Sequence, residues 1–513
     1  MLVKGERTPY TGPFFFGPGR RQRPVRRSNG VARSDRYAPP ADLETGESAY
    51  TRYQGLVDDW SAFCATLQRP LPACLRANTA RLSGDELEAL LAAEGYRPRR
   101  LAWHPDAVLV DGLRPGRHWA AIAGLYQIQE AASLLPVALL DPKPGERVLD
   151  LCAAPGNKTL QLADALGNRG TVVANDASRG RLGALGQAVK RHGVLNVAQT
   201  ARDGQGMPWA AGRFDKVVVD APCSCEGTFR KTATAAEPTP EEFRERLTRK
   251  QLRLLLRGMA LTRPRGRVVY STCTFAPEEN EAVVAAALAR MRGQFRLRPA
   301  RIPGLHLDPG LEGWGAERYG PELSACGRLW PHHNDTGGFF VAVLERIDGG
   351  EDGGPLQPLA DEPRARQLLQ VYNDALGVPR EVLDGLVAFF EGQKYAKIAA
   401  ADHTTAGDVS AERVGLAAVR AQTRYPKPAT AGAMALGPHA AGPFLDVDRD
   451  GAEAFFRRQP LLLTPEQPRP TVEHGPVLVR HRGYCLGLGA QRGEAVVSLF
   501  PKAWTQAAYG PGG

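Results

Sequence analysis

Cysteine is scarce in this chain, with eight in 513 residues and no C-x-x-C pair. That excludes the disulfide framework of a small secreted domain. Cys64, Cys74, Cys152, Cys223, Cys225, Cys273, Cys326 and Cys485 read instead as reduced intracellular thiols. A structural zinc site needs about four ligands at paired spacings. Only His332 and His333 accompany Cys223-Ser224-Cys225 in such a pattern, so no metal is expected. Long apolar runs are also missing: none approaches the roughly 18 residues of a membrane span. Phe14-Phe15-Phe16 is too short for the apolar core of a secretory leader. The expectation is a cytoplasmic protein with no membrane partner. What is present suffices for packed cores, with 43% hydrophobic residues and a length that implies about three domains. Basic residues outnumber acidic ones by 65 to 55, which favours an anionic partner, nucleic acid first.

The chain divides by composition and periodicity. Residues 1–48 are rich in Arg, Gly and Pro, with Arg20, Arg21, Arg23, Arg26 and Arg27 clustered. Such a segment buries too little to order itself. It reads as a phosphate-contacting arm, a solvated tail or an Arg-rich targeting peptide. Residues 49–140 read as a small α+β module. Helices are expected over 55–67, 83–94 and 127–135, and strands at 75–78 and 103–111. Ser83 suits an N-cap, with Leu87, Leu90 and Leu91 recurring behind it. In residues 141–346, strands at 148–151, 171–174, 197–200, 216–219 and 268–270 alternate with helical patterns. That order calls for a doubly wound parallel sheet of the α/β class. Residues 347–450 open on a Gly- and acid-rich linker at 348–355 and read as helical or mixed, with helices over 364–376 and 382–390. Residues 451–513 read as a small β domain, with strands at 477–480, 485–489 and 496–500 joined by Gly turns.

The ends of the central strands carry the chemistry. In open α/β sheets, ligands bind beyond the carboxyl ends of the strands. The first strand runs into C-A-A-P-G-N-K-T, Cys152 to Thr159. This is not a phosphate loop, because Asn157 separates Gly156 from Lys158. Its small residues still let a ligand approach the backbone closely. Asp176, Asp203 and Asp220 follow the next three strands. Any one of them reads plainly as a helix N-cap. As a row they repel a polyphosphate and suit a nucleoside with an amino-acid tail, Asp176 being placed for ribose hydroxyls. S-adenosylmethionine, cationic at sulfur and free of phosphate, fits. Asp220 also opens D-A-P-C-S-C-E-G-T-F-R, where Pro222 stiffens a turn that presents Cys223. The fifth strand ends at Thr272-Cys273-Thr274, before a helix start expected at Pro277 with Glu278, Glu279 and Glu281 in its first turn. Two thiols thus close two strands of one sheet.

These pieces together carry a family resemblance. V-L-D-L-C-A-A-P-G-N-K-T, N-D-A-S-R-G-R-L, D-A-P-C-S-C-E-G-T-F-R-K, S-T-C-T-F-A-P-E-E-N-E and P-H-H-N-D-T-G-G-F-F-V-A resemble the Nol/Nop/Sun RNA (cytosine-5) methyltransferases, as does Y-Q-I-Q-E-A-A-S at Tyr126 to Ser133. The likeness covers about Leu75 to Arg346. R-G-Y-C-L-G-L-G and L-F-P-K are similar to the small PUA-type β-barrel of bacterial ribosomal-RNA members. The resemblance implies a Rossmann-like class I methyltransferase core between an N-terminal RNA-binding module and a PUA-like RNA-binding domain. It implies S-adenosylmethionine held by Cys152, Ala153, Ala154, Pro155, Gly156, Asn157 and Lys158, with Asp176, Arg181, Asp203 and Asp220. It implies 5-methylcytosine made in RNA, with Cys273 as nucleophile, Cys223 assisting release, Asp220 on the cytosine and Lys158 beside it. DNA cytosine methyltransferases use the Pro-Cys thiol as nucleophile, so Cys223 competes for that role. Ribosomal RNA is the expected substrate and a monomer the expected form. A transfer-RNA methyltransferase, or an RNA-binding assembly factor with dispensable catalysis, are the alternatives. Arg230 and Lys231, with the stretch up to Pro240, are expected to rim the site and meet phosphates, and Arg480, Arg482 and Lys502 to meet RNA from the tail. Two residues depart from the family pattern: Asn157 and Cys225 each stand where glycine is usual.

Overall fold

The computed structural model describes residues 49–209, 213–231, 237–350, 356–405, 407, 409–423, 425–464 and 475–510. The Arg-rich segment 1–48 and residues 232–236 of the expected rim lie outside the described residues.

Five β-branched runs build the centre: β1 (Arg147–Asp150), β2 (Thr171–Asn175), β3 (Val197–Thr200), β4 (Phe214–Asp220) and β5 (Thr262–Thr272). They pair in parallel in the order β5-β4-β1-β2-β3. Val148, Leu149, Val172, Val173, Val217, Val218, Val219, Val268 and Val269 are all fully buried. Consecutive buried residues such as these are what a sheet covered on both faces requires. Helices α1 (Asn157–Ala165), α2 (Arg179–His192), α3 (Glu241–Leu261) and α4 (Glu281–Met291) lie between these strands or follow them. β6 (Phe339–Arg346) adds antiparallel to β5, with Phe340 opposite Thr272, so the complete sheet is mixed. The helix expected from Pro277 starts only at Glu281. The Asn280 side chain instead accepts from Thr272 Oγ1 at 2.5 Å and donates to the Thr274 carbonyl at 3.0 Å, which holds a non-helical turn behind Cys273.

Before the central sheet, four antiparallel strands pair in the order Arg99–Arg100, Ala107–Val110, Ala73–Ala77, Tyr126–Ile128. Helix Gly84–Ala92 opens on a reciprocal cap between Ser83 and Glu86. Of the helix expected over 127–135 only the second half forms, as a 3-10 turn over Ala131–Leu134 that leads into an α-helix. Tyr126–Ile128 is an edge strand paired with Leu75–Ala77, and the helix begins at Leu135. Strand pairing overrides a weak local preference here.

After β6, Leu386–Phe390, Tyr395–Ala400, Leu416–Arg420 and Lys427–Pro428 form a four-stranded antiparallel sheet. The helix expected over 382–390 therefore splits into a short helix, Arg380–Asp384, and a strand. At the end, Pro476–His481, Tyr484–Arg492 and Ala495–Ser498 are the three expected strands, widened by Phe444–Asp446 and Leu461–Leu462 into a five-stranded sheet. Among the described residues no helix is long and apolar enough to cross a membrane.

Candidate active site

The carboxyl ends of β1, β2, β4 and β5 open on one cavity of about 360 Å³. Cys152, Ala153, Ala154, Pro155, Asn157, Lys158, Asp176, Arg181, Asp203, Asp220, Cys223 and Cys273 all line it. Of the sequence-derived site residues, only Gly156 does not. It caps α1 with φ +116°, and a Cβ there would stand 2.4 Å from the Leu185 side chain. Its work is to let the loop pass α2.

One side of the cavity is shaped for a nucleoside. Asp176, 4% exposed, accepts from Ala154 N at 3.2 Å and Ser178 N at 2.9 Å, and pairs with Arg181 at 3.3 Å. Arg181 also donates to the Ala154 carbonyl, which ties loop to helix. A carboxylate offers about four lone-pair positions, so capacity for a hydroxyl remains. Asp203 is exposed and caps its own turn through Gln205 N at 3.1 Å. Asp150 lies beneath, a lining residue that the sequence reading passed over. Its Oδ2 accepts from Thr159 Oγ1 at 2.7 Å, while Oδ1 is buried with no partner. Burial pushes its carboxyl up to about 7, against the pull of Thr159 and Lys158. Small loop residues, a ribose-facing carboxylate and several acids without a phosphate cradle fit S-adenosylmethionine. Its polar groups would face Asp176 and Asp203, and its cationic sulfur would meet a net acidic wall.

The other side holds the thiols. β4 delivers Asp220, whose Oδ2 accepts from Lys158 Nζ at 2.7 Å and whose Oδ1 accepts from Ser271 Oγ at 2.8 Å. Lys158 also donates to Ser133 Oγ at 3.0 Å. Burial alone pulls Lys158 down, but attraction to Asp220 and the bond between them leave it raised, so it is a cation in the folded protein. Cys223 and Cys273 Sγ atoms lie 3.4 Å apart, and Cys225 Sγ is 3.9 Å from Cys223 Sγ. Hydrogen bonds from Cys223 and Cys273 hold Cys225 down at about 3. The bonds with Cys225 and with Cys273, then burial, push Cys223 well up. For Cys273 the bond with Cys223 acts downward, but the bond with Cys225 and burial override it.

Buried supports fix this geometry. Gly227 N donates to the Cys273 carbonyl at 2.9 Å, and Gly338 N to the Gly227 carbonyl at 2.9 Å. Glu226, 1% exposed, accepts from Tyr53 Oη at 2.7 Å and Thr274 Oγ1 at 2.9 Å. Glu279 accepts from Ser224 N at 3.0 Å and Gln251 Nε2 at 2.8 Å. The sequence reads Glu279 only as an acid in the first turn of a helix and gives neither glutamate this supporting role. Each is distant in the chain from what it holds, and only the motif spacing hinted at them.

The surface cations behave unequally. Arg230 is buried and donates to the carbonyls of Arg69 (2.9 Å), Thr336 (3.0 Å) and Pro70 (3.1 Å) and to Asp335 (2.7 Å). It is a clamp, unable to meet phosphate as expected. Lys231 does line the cavity, paired with Glu130 at 2.9 Å. In the tail, Arg480 forks onto Asp446 at 2.9 and 2.7 Å.

Comparison with known proteins matches this arrangement. A family model described as 16S rRNA methyltransferase RsmB/F matches residues 137–345, and one described as a Methyltr_RsmF/B-like, ferredoxin-like domain matches residues 52–115. A tRNA (cytosine(49)-C(5))-methyltransferase of Pyrococcus abyssi is 35% identical over 58% of this chain and 94% of its own length. Two proteins named ribosomal RNA small subunit methyltransferase F are also similar. The Erwinia tasmaniensis protein is 33% identical over 61% of this chain, which spans 64% of that relative. The Shewanella loihica protein is 28% identical over 87% of this chain and 91% of its own. The crystal structure of a methyltransferase homologue from Pyrococcus horikoshii superposes with a TM-score of 0.51, at 31% identity, over 58% of this chain and 93% of that one. With the archaeal relative matched over nearly its whole length and both thiols in one cavity, the chain belongs to the Nop2/Sun family of RNA (cytosine-C5)-methyltransferases.

Proposed function

We propose that the protein is an S-adenosylmethionine-dependent RNA methyltransferase that makes 5-methylcytosine through a covalent Cys–cytosine adduct. The observation that carries this reading is the 3.4 Å approach of Cys223 and Cys273 beside the Lys158–Asp220 pair, at the mouth of a nucleoside-shaped cavity. The cofactor, held by the Cys152–Lys158 loop with Asp176, Arg181 and Asp203, supplies an electrophilic methyl. The chain's own groups prepare the base for it.

Carbon 5 of cytosine is a poor nucleophile. Cys273, once deprotonated, adds its sulfur to carbon 6, and the ring becomes electron-rich at carbon 5. Asp220, with Lys158 Nζ 2.7 Å from its Oδ2, binds the N3 and amino edge and passes a proton from Lys158 to N3 as charge moves there. After methylation Cys223, having first lost its own proton, takes the proton from carbon 5, and N3 returns its proton to the Asp220–Lys158 pair. The electrons of that C–H bond re-form the ring double bond and expel the Cys273 thiolate. The base must leave its stack to reach both sulfurs, which favours a loop or an opened segment of RNA.

Ribosomal RNA is the favoured substrate, supported by the RsmB/F model and by the Shewanella relative that aligns beyond the catalytic domain. Transfer RNA is the second reading, favoured by the archaeal relative's likeness. A PUA-like role for the final sheet, and a cytoplasmic monomer, complete the proposal. Bisulfite sequencing of ribosomal and transfer RNA from cells with and without the gene tests it. One ribosomal cytosine losing protection in the deletion supports the first reading, and a transfer-RNA site losing it supports the second. No change in either rejects both. Full rescue by Cys273→Ala would turn the case toward an assembly factor.

A further inference from the structure

Cys225 has no part in the reaction above, and its backbone makes it costly to keep. It sits at φ +63°, ψ +20°, the left-handed region that glycine enters freely and cysteine does not. Such an outlier, next to reactive groups, calls for a reason at the side chain.

The reason offered by the geometry is a third sulfur. Cys223, Cys225 and Cys273 place their Sγ atoms within 4.8 Å of one another, with separations of 3.4 and 3.9 Å for the two pairs that share Cys223. Thiolates bind zinc at about 2.3 Å, which sets tetrahedral sulfur–sulfur edges of about 3.8 Å. The two pairs that share Cys223 need only a few tenths of an ångström of adjustment to meet that edge, and the third pair, within 4.8 Å, needs at most about one ångström. All three sulfurs line the cavity, so an ion has a path in and room for a water or substrate atom as a fourth ligand. Soft thiolate ligands select thiophilic cations over magnesium or calcium. Asp220 adds negative charge nearby.

We infer that Cys223, Cys225 and Cys273 form a three-thiolate site for a thiophilic divalent cation, zinc being the common one, and that its occupancy shuts the enzyme off. Whatever protons the three sulfurs still carry leave on binding, and no electron transfer is involved. A metal-bound Cys273 cannot add to carbon 6, so ion and substrate exclude each other. Binding stands on the sulfur geometry alone, whereas inhibition also rests on the methyltransferase reading.

The test uses the full chain, reduced with a phosphine and free of other metals. Cadmium is added and the sulfur-to-cadmium charge-transfer absorbance followed, for the wild type and for Cys225→Gly. One ion per chain is expected, with affinity at least tenfold weaker in Cys225→Gly. Equal affinity in the two proteins, or no charge-transfer band in the wild type, overturns the site whatever the enzyme does. Zinc is then titrated into a methyl-transfer assay, each protein being compared with its own metal-free rate. The wild type is expected to be inhibited in step with occupancy and restored by a chelator, and Cys225→Gly to need at least tenfold more zinc. Inhibition that a reductant reverses and a chelator does not would mean a disulfide, and overturns the metal reading.

Discussion

Lys158 gives the sharpest test of how the cavity handles protons. Its ammonium is buried and makes two hydrogen bonds, to Asp220 at 2.7 Å and to Ser133 at 3.0 Å. Lys158→Met keeps most of the side chain's volume and removes both bonds and the charge. Breaking one member of a fully buried ion pair costs about 3–5 kcal/mol. The Asp220 side chain is 30% exposed, so water screens part of that and about 2–3 kcal/mol is the better figure. If the pair holds its proton ready for ring N3, the loss falls on the chemical step, at roughly 30- to 150-fold in rate. Single-turnover transfer of a labelled methyl group to RNA measures it, with the affinity for the donor measured alongside. The expected outcome is a slowed step with donor affinity changed by less than about threefold, since the Lys158 ammonium bonds Asp220 and Ser133 and the proposed ribose contact is Asp176. A step slowed by less than about threefold, or a loss confined to donor binding, refutes the proton role.

Further outcomes follow from the supports. Asp150 has a carboxyl raised to about 7 by burial, above its ordinary value. Below about pH 4 both folded and unfolded chains hold that proton. Between pH 4 and 7 only the unfolded chain releases it, so this group's contribution to folding falls as pH rises and is fully unfavourable above 7. The full effect is on the order of 4 kcal/mol. Asp150→Asn should therefore gain on the wild type in Tm from pH 5 to pH 8, and a constant gap across that range contradicts the shift. Arg328 forks onto Glu281 at 2.6 and 2.5 Å, both groups being buried. Arg328→Met should cost about 3–5 kcal/mol in urea unfolding, with much of it recovered by adding Glu281→Leu, because a lone buried charge is worse than none. Gly338→Ala would set a Cβ 2.1 Å from the Phe275 ring, behind the turn that holds Cys273. It should cost about 1–3 kcal/mol as overpacking and slow methyl transfer beyond what the stability loss explains. An unchanged rate would show that the turn tolerates the shift.

The five parallel strands were legible because both faces of each are buried, which forces unbroken β-branched runs such as Val217–Val219. The site was legible for a related reason: strand ends are where the fold exposes chemistry, so Asp176, Asp220, Cys223 and Cys273 announced themselves. Elements set by partners distant in the chain were not. Tyr126–Ile128 is a strand only because Leu75–Ala77 lies beside it. Leu386–Phe390 continues a helical pattern in sequence and becomes a strand only against Ala396–Ala400. The four-stranded sheet that it opens is rich in alanine, a residue that favours no strand. Arg230 read as a surface cation because its acceptors at Arg69, Pro70 and Thr336 lie more than a hundred residues away. Asp150 stays hidden because it falls inside the strand expected over 148–151 rather than beyond its end. The thiol trio was hidden by Cys225's own rarity, since a left-handed cysteine is not what a sequence pattern suggests.

The central claim is that two sulfurs divide one reaction, with Cys273 forming the bond to carbon 6 and Cys223 freeing the product. Cys223→Ala and Cys273→Ala should each be incubated with methyl donor and substrate RNA, then run on a denaturing gel. The account predicts a stable protein–RNA adduct with Cys223→Ala and none with Cys273→Ala. An adduct that accumulates with Cys273→Ala and not with Cys223→Ala would contradict it.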